Sequence, residues 1–256
     1  MRISVFIFLL FQSLLSMPAG AQEISSVTIC YDPVPPSPDG EKKYSDETRF
    51  FNGLVNNTFA RIGIKVRFIT DYPFKRCMAE VENRRIDFVL GAYFDNDRAK
   101  IFDYSNHYYT LTPQIFFLSA RPVTINQLAD LKHYRGCGIY GSSYAHYGLK
   151  PEVLDLGPGY DSMIKKLHAG RCDYFVEELE VIRELKSTGH DYLSDASIRH
   201  ADVPGATAPS RYLITAKNSK VSPLLGQINK ALEEVIALPE THEAWKKEFG
   251  SAVYKP

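Results

Sequence analysis

Short apolar strands alternate with amphipathic helices, and the alternation runs twice along this chain; no other feature narrows its fold as much. Val27-Thr-Ile-Cys-Tyr31 reads as a strand, and the polar, proline-rich stretch Asp32–Asp46 that follows reads as a loop, since proline removes helical hydrogen bonds. Phe51, Leu54, Val55, Phe59 and Ile62 share one face at helical spacing, which predicts a helix over 50–62. A strand at Lys65–Ile69, a helix introduced by Tyr72-Pro-Phe and running from about Lys75 to Asn83, and a strand at Ile86–Leu90 complete the first unit. After Arg121-Pro122 the rhythm returns. Gln127–His133 precedes a strand at Gly138–Tyr140, a helix is expected over 162–169, a strand over 172–176, and a further helix from about Glu178. The pattern predicts an α/β protein with mainly parallel sheets covered by helices. Extended segments at Ile115–Leu118 and Tyr212–Thr215 flank the second unit, so the chain is expected to cross into a second lobe and return through a two-stranded hinge. The expected boundaries are 22–118 and 209–256 for the first lobe and 119–208 for the second. Two terminal helices, 224–237 and 241–249, belong to the return segment, with Trp245 packing the last one onto the first lobe.

Residues 1–21 have a different character. Met1-Arg2 leads an apolar run that ends at Ala19-Gly20-Ala21, the order of a secretory signal cleaved before Gln22, and no cysteine stands there to take a lipid. Export makes disulfides chemically permissible for Cys30, Cys77, Cys137 and Cys172. Four cysteines allow three complete pairings; Cys30 with Cys77 and Cys137 with Cys172 is the natural one if each lobe closes its own bridge. Thirty Lys plus Arg balance thirty Asp plus Glu, so nothing suggests a nucleic-acid partner. The seven histidines form no HExxH or mixed metal cluster and read as dispersed surface or packing residues. The Gly136-Cys-Gly138 and Gly157-Pro-Gly159 segments lack the remainder of a nucleotide fingerprint, and Ser142-Ser143 stands in no GxSxG elbow. Neither a metal nor a cofactor is expected.

Three segments carry a family resemblance. Arg84-Arg-Ile-Asp-Phe-Val-Leu-Gly-Ala-Tyr93 continues through an acidic turn to Arg98 and the Phe-Asp-Tyr-Ser segment at 102–105; Gly138-Ile-Tyr-Gly-Ser-Ser143 forms the second, and Ala169-Gly-Arg-Cys-Asp-Tyr-Phe-Val-Glu-Glu178 the third. Together they resemble the periplasmic solute-binding proteins of family 3, the polar amino-acid-binding group with a type II two-lobed fold, over nearly all of the mature chain. The resemblance implies a non-catalytic monomer that closes on a small carboxylated solute and is read by a membrane permease, or by a sensory partner. The alternative is a periplasmic dehydratase of cyclohexadienyl type, in which Glu177 or Glu178 acts as a general acid.

By this resemblance Arg98 grips the ligand carboxylate, for which its planar guanidinium supplies two parallel donors. Ser142 and Ser143 would complete the anion site from the other lobe with backbone N–H groups, helped by a helix beginning near Tyr144. Glu178 aligns with the acid, commonly Asp, that receives the ligand ammonium, and Glu177 competes with it because a one-residue slip reverses which side chain faces the cleft. Tyr31, Phe74 and Tyr93 are candidate walls, and Asp32 at the end of the first strand is a candidate for reaching the cleft. Tyr93, with Leu90 and Gly91 nearby, departs from the small hydroxyl residues usual in the family, which admits an aromatic, bulkier or non-amino-acid carboxylate.

Overall fold

The computed structural model describes residues 24–31, 45–250 and 253–256, so the expected signal segment and Asp32 lie outside the described residues. The chain order is β1 (Ser26–Cys30), α1 (Asp46–Arg61), β2 (Lys65–Ile69), α2 (Phe74–Glu82), β3 (Phe88–Tyr93), β4 (Phe102–Thr110), β5 (Pro113–Leu118), β6 (Gly136–Ile139), β7 (Leu154–Gly157), α3 (Tyr160–His168), β8 (Tyr174–Glu178), α4 (Leu179–Glu184), β9 (Ile198–Asp202), β10 (Ser210–Ala216), α5 (Leu225–Ile236) and α6 (Pro239–Phe249). Two five-stranded sheets result, ordered β2-β1-β3-β10-β4 and β7-β6-β8-β5-β9. Each is mixed rather than mainly parallel. β1 pairs in parallel with β2 and β3, whereas β10 runs antiparallel to β3 and β4; β6 is parallel to β7 and β8, and β5 is antiparallel to β8 and β9. The reversed strands are the ones that carry the chain into and out of the second lobe.

β5 belongs to the second sheet, so the outward crossing falls at Leu111-Thr112, ahead of the boundary expected at 118. The return crossing lies in 203–209, between β9 and β10. The first crossing is held on both sides. Thr112 donates its N–H to Glu180 Oε2 at 2.8 Å and its hydroxyl to Oε1 at 2.7 Å, and Lys255 Nζ reaches the Thr112 hydroxyl at 3.0 Å.

α1 starts four residues earlier than its apolar face predicts because Ser45 caps it, its hydroxyl oxygen accepting the Thr48 N–H at 3.0 Å, and because Asp46 and Glu47 complement the helix dipole. Its buried face, Phe50, Phe51, Leu54, Val55 and Phe59, joins residues of α5, α6 and the first sheet in one core. Trp245 is buried there, stacked on Phe249 and Tyr254 and edge-on to Phe50. α2 covers the other face of this sheet through Cys77 and Val81. In the second lobe Phe116 and Phe175 stack at 4.7 Å between β5 and β8, under α3 and α4. Each lobe closes its own disulfide, Cys30–Cys77 and Cys137–Cys172.

Candidate functional site

A cleft of about 1030 Å³ runs between the lobes. Tyr31, Phe74, Tyr93, Arg98, Ser142, Ser143, Glu177 and Glu178 all line it, so every described residue expected at the site from sequence is brought together there.

β3 ends at Tyr93, and the acidic turn after it swings Arg98 back toward the strand. Asp95 Oδ1 accepts the backbone N–H groups of Asp97 and Arg98, at 2.9 and 3.1 Å, which fixes the turn. The Arg98 guanidinium then crosses the cleft to donate to the Gly141 carbonyl at 2.8 Å, with the Tyr93 carbonyl at 3.5 Å and the Phe74 ring below it. Among the described residues no carboxylate forms an ion pair with it. Burial lowers the Arg98 pKa, opposed by Tyr104 and Asp95. A half-buried cation hydrogen-bonded to carbonyl oxygens alone is a costly arrangement unless an anion joins it.

The opposing turn follows β6. Gly141 has φ +87°, and a Cβ there would meet Lys75 Cβ of the first lobe at 3.0 Å, so glycine suits both the backbone and the close approach. Ser143 Oγ donates to Asp95 Oδ2 at 2.9 Å, a second bond across the cleft. The helix expected near Tyr144 is only a three-residue 3-10 turn, Ala145–Tyr147. Tyr144 folds its side chain back so that its hydroxyl oxygen accepts the Ile139 N–H at 2.6 Å, and Gly148 at φ +63° ends the turn. This turn therefore aims no helix dipole at the anion site.

Glu177 and Glu178 both line the cleft, so the choice between them does not reduce to register. Glu178 is fully buried, and its oxygens accept from Tyr93 Oη at 2.5 Å and Tyr147 Oη at 3.1 Å, with His146 Nε2 at 2.8 Å. Glu177 takes the Tyr160 hydroxyl at 3.1 Å and the Glu178 N–H at 3.1 Å. Burial and the neighbouring Glu178 charge drive the Glu177 pKa well up. Burial acts upward on Glu178 as well, but hydrogen bonds from His146, Glu177 and Tyr93 outweigh it and hold the pKa down. The environment therefore favours the charge on Glu178 over Glu177.

The sequence reading missed the polar residues that complete this wall. His146, one of the histidines expected to be dispersed, contacts the central acid; its position three residues after the Ser142-Ser143 turn is the available signal. Glu47, Arg211 and Glu184 also line the cleft, Glu47 and Arg211 forming an ion pair within the first lobe. Glu184 Oε1 accepts the Glu47 N–H at 2.8 Å across the lobes. Asn52 donates to Tyr31 Oη at 3.0 Å.

Residues 50–251 match the model of the bacterial extracellular solute-binding proteins, family 3. The chain belongs to this family. It is an exported, periplasmic solute-binding protein. No curated protein matches the sequence. Among solved structures, an ancestral arginine-binding protein bound to arginine superposes with a TM-score of 0.66 at 22% identity, covering 88% of this chain and 99% of its own. A Streptococcus pneumoniae ABC uptake transporter substrate-binding protein with bound histidine gives 0.66 at 18% identity, covering 91% and 95%. The arginine-, lysine-, histidine-binding protein ArtJ of Geobacillus stearothermophilus gives 0.67 at 18%, covering 89% and 96%. At these identities the likeness speaks for the two-lobed fold.

Proposed function

We propose that this solute-binding protein captures a small polar carboxylated ligand, an amino acid or a derivative of one, with the carboxylate at Arg98 and the Gly141-Ser142-Ser143 turn. The observation that carries the reading is the half-buried Arg98 guanidinium, whose hydrogen-bond partners in the protein are neutral carbonyls. A ligand carboxylate supplies the missing charge and the bidentate geometry that guanidinium favours. Because its partners come from both lobes, a ligand bound there stabilises the closed arrangement over the open one, which is the shape a permease reads. The solved neighbours, named as binders of arginine, histidine or glutamine, are consistent with such a ligand. The dehydratase alternative draws no support from the family or from these neighbours.

The test is native mass spectrometry of the protein purified gently from the periplasm, with any released ligand identified and rebound by calorimetry. A carboxylated small molecule that rebinds unchanged is the expected result. A ligand lacking any acidic group, or one converted to product on incubation, overturns the reading.

A further inference from the structure

A second uncompensated charge lies in the cleft, on its hinge side. Glu184 stands one helical turn along α4 from Glu180, the residue that clamps the crossing at Thr112. It faces the first turn of α1, where its Oε1 accepts the Glu47 N–H at 2.8 Å. The nearby Glu47 carboxylate is already paired with Arg211, and among the described residues no Lys, Arg or His forms an ion pair with Glu184. One turn and a half further along α1, Asn52 spends its amide N–H on Tyr31 and leaves Oδ1 buried with no donor. Both side chains line the cleft that holds Arg98. Asn52 Oδ1 thus lacks the donor that a buried acceptor requires, and the half-buried Glu184 carboxylate, which takes the Glu47 N–H and the Ser45 and Ser187 hydroxyls, has no cation beside it among the described residues.

We propose that Glu184 and Asn52 form the receiving site for a cationic side-chain group of the ligand, an ammonium, amidinium or guanidinium separate from its α-amino group. The inference rests on the reading of the cleft as the ligand site and names a finer property of it. Glu178 is ill suited to the task, because Tyr93, His146 and Tyr147 already occupy its oxygens. Burial, with the Glu47 charge adding to it, raises the Glu184 pKa to about 7, as expected of a carboxyl that has no cation beside it. A ligand carrying a carboxylate and a separate cation would neutralise Arg98 and Glu184 together.

The experiment compares two pairs of near-isosteres by calorimetry at pH 8, L-arginine against L-citrulline and L-lysine against L-norleucine, on wild type, Glu184→Gln, Asn52→Leu and Arg98→Ala. Glu184→Gln keeps the side-chain shape and an acceptor for the Glu47 N–H; Asn52→Leu gives an independent measure should that variant fold poorly. The expected result is that at least one cationic member binds about tenfold or more tightly than its neutral partner. That preference falls to within about threefold in Glu184→Gln and shrinks in Asn52→Leu, while Arg98→Ala weakens both members alike. Arg98-dependent binding with equal affinity within each pair, or a preference that survives both Glu184→Gln and Asn52→Leu, overturns the cation site and leaves the carboxylate reading standing. Failure of all four probes to bind wild type overturns the cation site and leaves the carboxylate reading to the ligand released in native mass spectrometry.

Discussion

Tyr93 at the end of β3 donates its phenolic hydrogen to Glu178 Oε2 at the end of β8, 2.5 Å away and across the cleft between the two lobes. The bond joins two ionisable groups whose preferences reinforce it: burial and the Glu178 charge keep the phenol protonated, and the phenol in turn helps keep the carboxylate ionised. Tyr93→Phe removes the donor and little volume. A hydrogen bond to a charged group contributes about 1.5–3 kcal/mol, so the variant should favour the open form and bind ligand about tenfold more weakly. Small-angle scattering in the presence of ligand reads the first effect and calorimetry the second. An unchanged scattering curve and affinity would show that the bond does not contribute to closure.

Arg98→Ala should cost the ligand affinity more than any other single truncation in the cleft, on the order of 3 kcal/mol, because a charged, hydrogen-bonded partner of the carboxylate is lost. Arg98→Lys should recover only part of this. Lysine restores the charge as a point but not the fork that contacts two oxygens at once. Full recovery by lysine, measured by calorimetry on folded protein, would argue against bidentate recognition.

The two disulfides close loops between positions 47 and 35 residues apart, and each lies within one lobe. Chain-entropy arguments give each about 4 kcal/mol of stabilisation, an upper figure where strain intervenes. Cys137→Ser/Cys172→Ser should therefore lower the melting temperature while leaving Cys30–Cys77 intact, and peptide mapping of the oxidised wild type should recover only within-lobe pairs. A mapped Cys30–Cys137 or Cys77–Cys172 link would contradict this arrangement.

Much of the fold was legible because its interior strands are continuous apolar runs and its helices carry one apolar face. Lys65–Ile69 fell where the alternation placed it, and the disulfides follow from two compact units. The strands that escaped notice are of another kind. β4 carries Asp103, Ser105, Asn106 and His107, β7 spans only four residues and β9 is exposed beyond Ile198, so none presents the apolar pattern of a central strand; all three lie at sheet edges. Arg98, Glu177 and Glu178 were visible because local motifs surround them. Their partnerships were not, since Tyr93 meets Glu178 from 85 residues away and Glu47 meets Glu184 from 137, and each pairing exists only once two lobes fold against each other. The supposed helix at Tyr144 failed for a local reason, a tyrosine that bonds back to its own strand.

Glu184 should also make stability fall with pH in a defined window. Its folded pKa is raised to about 7, above the ordinary carboxylate value of 4.5, first by burial and then by the Glu47 charge, against the pull of the Glu47 N–H. Between those values the folded protein holds the proton more tightly than the unfolded chain, so this group's contribution is fully present below about pH 4.5 and is lost as pH rises through 7. Allowing for partial screening and for relief when the lobes part, the loss is about 2 kcal/mol. Denaturant titrations at pH 5, 6, 7 and 8 should show wild type losing stability across the range and Glu184→Gln losing distinctly less. A saturating cationic ligand should act in the same direction as the substitution by pairing with the carboxylate, whereas a neutral ligand should not. Identical pH profiles for wild type and Glu184→Gln would mean that the carboxyl is well solvated, and that its approach to α1 costs nothing.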